Sequence, residues 1–215
     1  MLGGALAASG IAYAVLQVLG RTSGSTRAER QQVLPGDDLV RRPTVVTNHA
    51  ITIEAPPELV WPWLTQMGWH RGGWYTPRWV DGLLFPANWP SAERLEPRLV
   101  RELRVGDAFP DGEPGTAELL VEQVEAPNLL VLHSTTHVPV QWRRRWGAAI
   151  DWVWTFALDQ RPGGRTRLQL RTRGRTRPWW LTVGYVGLLV PADHVMATGM
   201  LRGVKRRVER TARLP

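Results

Sequence analysis

Residues 51–64 read Ile51-Thr52-Ile53-Glu54-Ala55-Pro56-Pro57-Glu58-Leu59-Val60-Trp61-Pro62-Trp63-Leu64, and the change of period inside this run decides the fold. Thr44 to Glu54 alternates around Ile51 and Ile53 and is rich in β-branched residues, which predicts a strand. The two prolines that follow suit a first helical turn, whose amides need no intrahelical partner. Leu59, Val60, Trp63, Leu64 and Met67 then recur at spacings of three and four, the stripe of an amphipathic helix ending at Gly68. Pro62 lies early enough in that helix to kink it rather than break it.

Downstream, Gly68 to Pro97 is a long stretch rich in Trp, Gly and Pro, including Trp74-Tyr75-Thr76 and Trp79-Val80-Asp81-Gly82. A connection of that length is usually functional or carries short helices. Four strands are predicted next, over Gly115–Val124, Leu129–Ser134, Ala149–Leu158 and Arg165–Arg173. The third puts Ile150, Trp152, Trp154, Phe156 and Leu158 on one face, with Asp151, Thr155 and Asp159 on the other. The fourth puts Leu168 and Leu170 opposite a row of Arg165, Arg167, Gln169, Arg171 and Arg173. Such alternation predicts an antiparallel sheet with one buried and one wet face, the Arg row lying on the wet one. Trp179 to Pro191 is apolar but too short to span a bilayer, and is expected to cover the sheet or rest at an interface. Ala197, Leu201, Val204 and Val208 then mark a closing helix, with Asp193 as its expected N-cap.

Upstream, Leu2 to Gly20 is uncharged and about 28 Å long as a helix, near the thickness of a hydrocarbon core. No basic residue precedes it, and Arg21, Arg27 and Arg30 follow. The expectation is a membrane anchor over residues 1–20, a single N-terminal span that leaves the domain cytoplasmic. The alternative is a helix packed on a cytoplasmic domain. Residues 21–42, polar and holding the turn Pro35-Gly36-Asp37-Asp38, read as a linker, and one domain is expected over 43–213.

Composition narrows the chemistry. With no cysteine in 215 residues, disulfide scaffolds, thiolate metal sites and a cysteine nucleophile are excluded. The net charge of +8 is carried almost wholly by arginine, Lys205 being the only lysine, and is concentrated late in the chain. A basic late half can favour anionic partners, but a solvated sheet face accounts for it equally, and no specific nucleic acid is expected.

The order of strand, helix, long loop, antiparallel strands and final helix, together with Ile51–Leu64, Gln66-Met67-Gly68, Arg71-Gly72-Gly73-Trp74-Tyr75, Asn88–Arg94, Leu103–Asp107 and Met200–Arg207, resembles the START-like or SRPBCC superfamily. The nearest likeness is its polyketide cyclase/dehydrase or lipid-transport-like branch, over roughly Thr44 to Glu209. That resemblance implies an α+β helix-grip fold: a curved antiparallel sheet around a long C-terminal helix, with a mostly apolar cavity between them. Members of the family share no catalytic set.

The aromatic face of the third strand fits such a cavity, although core packing explains the same rings. The expected ligand-binding residues are Trp152, Trp154 and Phe156 on the cavity wall, His133 nearby, and Trp74, Tyr75 and Trp79 at the mouth. His133 and His137 leave a strand and so do not form the one-sided pair of a zinc helix; no metal or cofactor is expected. No nucleophile elbow, phosphate loop or convergent acid–base pair is legible, and no catalytic residue is assigned. Binding or transport of a hydrophobic, lipid- or polyketide-like molecule is therefore the leading reading. An enzyme acting on an apolar substrate through one or two pocket polar groups is the alternative.

Overall fold

The computed structural model describes residues 2–84 and 90–213; Asn88 and Trp89 of the Asn88–Arg94 motif lie outside the described residues. The chain runs through α1 (Leu2–Thr22), α2 (Arg27–Gln31), β1 (Val45–Ile53), α3 (Pro57–Thr65) and α4 (Arg78–Leu84). It continues with β2 (Ala108–Pro110), β3 (Glu118–Glu125), β4 (Leu129–Ser134), α5 (Val140–Trp146), β5 (Ala149–Arg161) and β6 (Arg165–Arg177). Last come α6 (Trp179–Gly184), a π-helical turn (Tyr185–Leu189) and α7 (Val190–Ala212), which form one unbroken helix. The apolar segment after Trp179 is thus the first part of the closing helix.

The six strands form one antiparallel sheet in the order β1-β6-β5-β4-β3-β2. β5 and β6, each 13 residues, pair along their whole length and extend beyond the predicted strands. On the inner face Leu130, Leu132, Phe156, Leu158, Leu168 and Leu170 meet Trp63 and Leu64 of α3 and Leu201, Val204 and Val208 of α7 in one core. α3 continues past Pro62, as predicted. A sheet gripping a long C-terminal helix is the helix-grip arrangement.

α7 is held at its C-terminal end by Arg207, only 2% exposed. Its guanidinium donates to the carbonyls of Ala92 and Gly203, pairs with Glu93, and lies 5.0 Å over the Tyr75 ring. Gly203 is where α7 crosses Tyr75: a Cβ there would meet the Tyr75 carbonyl at 2.0 Å. At the other end α7 carries α1. The Tyr13 hydroxyl donates to the Gly187 carbonyl, Gln17 Nε2 donates to the Val186 carbonyl, and Gly20 lets the Val190 backbone approach. α1 is therefore docked along the domain rather than standing off it.

The outer face of the sheet is not the wet surface the alternation suggested. Residues 21–42 are a strap across it. Thr26 and Glu29 form a capping box that starts α2, and Arg167 then grips the Glu29 carboxylate with two bonds of 2.7 and 2.9 Å. Arg171, 4% exposed, donates to Asn48 Oδ1, to Asp37 Oδ2 and to the Gln32 and Glu29 carbonyls. Thr155 donates to the Pro35 carbonyl, and Val40 joins Leu129, Val131 and Val153 in a second small core. The linker expectation fails because the arginines of β6 are donors waiting for acceptors, and the strap's carboxylates and carbonyls supply them.

Two outcomes follow. Replacing Arg171 with Met strands the Asp37 carboxylate under the strap, and a loss of about 3–5 kcal/mol is expected in urea unfolding; an unchanged midpoint would contradict the buried network. The hydrogen bond from Arg167, followed by those of Thr26, holds the Glu29 carboxyl down from 4.5 to about 2. A carboxyl lowered on folding stabilises above its unfolded value, so this contribution is full above pH 4.5 and fades as pH falls towards 2. Glu29→Gln should flatten the pH dependence of the unfolding midpoint across that window.

Candidate functional site

The cavity lies at the end of the sheet where β1, β5 and the π-helical turn come together. β5's alternation turns Trp152 and Trp154 inward, and β1 contributes Val45 and Thr47 from the next-but-one strand. Leu119 comes from β3, Tyr185 and Leu189 from the π-helical turn, and Val190, Asp193 and Met196 from α7. Asp111, just after β2, and His137, just after β4, complete a wall around about 180 Å³. A π-helical turn widens the helix by one residue, and such turns frequently occur at functional sites.

The predicted residues divide. Trp152 and Trp154 line the cavity. Trp152 lies 5.3 Å from Tyr185 and rests on the bare backbone of Gly174, where a Cβ would come within 2.0 Å of the indole. Trp154 meets Trp74 edge-on at 5.4 Å, so Trp74 supports the wall from behind. Phe156 is wholly buried among core residues, and there the core-packing account holds. Tyr75 is also core: its hydroxyl donates to the Trp63 carbonyl at 2.7 Å. Trp79 is 61% exposed and outside the cavity wall. His133 is the clearest correction. It sits opposite Val153, hence on the outer face, where its ring nitrogens meet Glu122 at 3.1 Å and Asp151 at 2.7 Å. One residue of register separates it from the inner face.

His137 takes the place expected of His133. Its Nε2 lies 2.8 Å from Asp111 Oδ2 and its Nδ1 2.7 Å from Ser134 Oγ. Ser134 is itself buried and accepts the Thr136 amide, so its oxygen is fixed in place and holds one edge of the imidazole while Asp111 holds the other. A second pair reaches the wall through Asp193 alone: Nε2 of the buried His49 lies 3.0 Å from Asp193 Oδ2. Asp193 is thus no N-cap; it stands in the first turn of α7 and reaches across to β1. His194 turns away to Ser23, 2.7 Å from its Oγ, and burial lowers its pKa, with His49 and Arg202 adding to the effect.

Burial raises the Tyr185 hydroxyl to about 12, and the nearby Asp111 and Asp193 carboxylates add to the rise. Thr47, 1% exposed, has a hydroxyl with no hydrogen-bond partner. Aromatic walls and polar groups without protein partners suit recognition of a small molecule with an apolar body. The His–Asp pairs were hidden because Asp111 and His137 are 26 residues apart, and His49 and Asp193 144 apart. Among the described residues no group of three or more His, Asp or Glu side chains is arranged to hold a metal ion.

No protein-family profile and no curated protein matches the chain. Solved structures do resemble it. Protein MLL2253 from Mesorhizobium loti is 19% identical, covering 78% of this chain and 98% of that one with a TM-score of 0.45. The Aha1 dimer from Colwellia psychrerythraea is 14% identical over 77% and 96%, with a TM-score of 0.44. Hypothetical protein jhp0584 from Helicobacter pylori is 10% identical over 80% and 90%, with a TM-score of 0.49. At these identities the likeness is one of fold alone. By its own sheet and gripping helix the chain has a helix-grip fold.

Proposed function

We propose that the protein binds an apolar small molecule in the cavity between sheet and closing helix, and does so at a membrane surface. One observation carries the binding reading: a cavity of about 180 Å³, walled by Trp152, Trp154 and Tyr185, has polar groups of Asp111, His137 and Asp193 in its lining. An apolar cavity of about 150 Å³ accepts benzene in another protein, so the part of the ligand buried here is about one ring or a short branched chain. A lipid or polyketide would place one end inside. The alternative, an enzyme, draws support from the Asp111–His137 pair on the wall, a general base within reach of a bound substrate.

The membrane reading rests on exposed apolar side chains. Ile11, Val15 and Val18 on α1 and Trp179, Val183 and Leu188 on the long helix, whose later part packs against α1, are all exposed. Trp142, Trp146 and Trp180 pack edge-to-face nearby, with exposed Arg143, Arg144 and Arg145 on the same short helix. Aromatic rings and arginines beside an apolar face suit the boundary of an anionic bilayer. Among the described residues Trp179–Ala212 is a helix long and apolar enough to cross a membrane, and one face of its C-terminal half is buried in the core. Attachment in the plane of the interface suits both helices better than an N-terminal span.

Calorimetric titration with 2-phenylethanol should give saturable binding. Trp154→Phe should weaken it by about fivefold, since the ring shrinks but Trp74 still backs it. Gly174→Ala should abolish it by driving the Trp152 indole into the cavity, with far-UV circular dichroism unchanged. Absence of saturable heat in the wild type with every phenylethyl probe, whatever its charge, sinks the binding reading. For the membrane, the protein should float with vesicles of phosphatidylcholine and phosphatidylglycerol. A Trp179→Ser/Leu188→Ser double variant, altering only exposed side chains, should float much less. Equal recovery of both proteins at the bottom of the gradient would reject attachment.

A further inference from the structure

The cavity's charge has one sign. Its lining includes two carboxylates, Asp111 and Asp193, and no arginine or lysine, in a chain that carries +8 overall. Neither carboxylate is neutralised by an ion-pairing arginine. Each meets a histidine at Oδ2 and is about a quarter exposed. His137 lies between Asp111 Oδ2 and Ser134 Oγ, and His49 meets Asp193 Oδ2 at 3.0 Å while its Nδ1 is buried with no hydrogen-bond partner. The wall therefore presents two carboxylates to a small, mostly apolar space.

We propose that the ligand of this cavity is a protonated amine on an apolar body, a deepening that rests on the binding reading above. The ammonium group would find carboxylate acceptors in Asp111 and Asp193 and a further acceptor in the buried, unpartnered Thr47 hydroxyl. The faces of Trp152, Trp154 and Tyr185 surround the same space, and an aromatic face attracts a cation through its quadrupole. An anionic ligand would meet two like charges in a partly desolvated site, and a neutral alcohol would leave both charges unanswered.

Three probes share one body and differ in charge: 2-phenylethylammonium, 2-phenylethanol and 3-phenylpropionate. Titrated calorimetrically into the full chain at pH 7, the ammonium should bind at least about tenfold tighter than the alcohol, and the carboxylate weakest. Asp111→Asn and Asp193→Asn should each shrink the ratio of ammonium to alcohol affinity severalfold, with an unchanged far-UV circular dichroism spectrum reporting the fold intact. Thr47→Val should weaken the ammonium more than the alcohol. If the alcohol or the carboxylate binds as tightly as the ammonium in the wild type, the amine proposal is overturned and the cavity reading stands. A preference retained in both Asn variants overturns it too. If none of the three binds, both the proposal and the binding reading fail.

Discussion

The Arg171 guanidinium, 4% exposed midway along β6, is met by a carboxylate, a side-chain amide oxygen and three main-chain carbonyls. Burying such a group without acceptors would carry several kcal/mol of desolvation, so the segment that supplies them is as much a part of the sheet as its strands. Asp37 serves two donors at once, accepting from Arg171 and from the Leu34 amide. Through those bonds the strap fixes the outer face, and the inner face is left free to grip the long helix.

The same need for partners shapes the inner end. Where α7 meets β1 and β4, polar groups pair across the fold: His49 with Asp193, and Ser134, His137 and Asp111 in a chain. Each imidazole is oriented by a carboxylate, as in many catalytic and binding sites, while aromatic rings exclude water around it. Farther along the sheet, where Phe156, Leu158 and Leu168 meet α3 and α7, polar pairs give way to close apolar packing. One β5 face thus serves as wall at Trp152 and Trp154 and as core at Phe156.

The parts of this molecule with a local period were readable in advance. β1, α3, β4 and the first halves of β5 and β6 follow from alternation or a three-and-four stripe, and their order implied the gripping helix. What depended on distant pairing was not. The Arg row of β6 alternates as a solvent face does, and nothing within the strand says that Glu29 and Asp37, more than 130 residues earlier, will cover it. His133 and His137 illustrate the same limit. Both follow the run Leu129–Leu132, but strand parity sends the first outward, while the turn after Ser134 brings the second back to the cavity. Trp79 was misplaced for a related reason: a Trp in a long loop carries no period to show which way it points.

The strap and α1 have a temporal consequence. Glu29 and Arg167 are separated by 138 residues, and Tyr13 and Gly187 by 174. At a synthesis rate of about 5–20 residues per second, the first 42 residues leave the ribosome many seconds before their seats on β6 and α7 exist. α2 can form early through its own capping box, but its Glu29 has no guanidinium to hold until β6 is made. α1 waits longer still with its apolar side uncovered. A helix made before the sheet is thus housed only after the sheet and α7 exist.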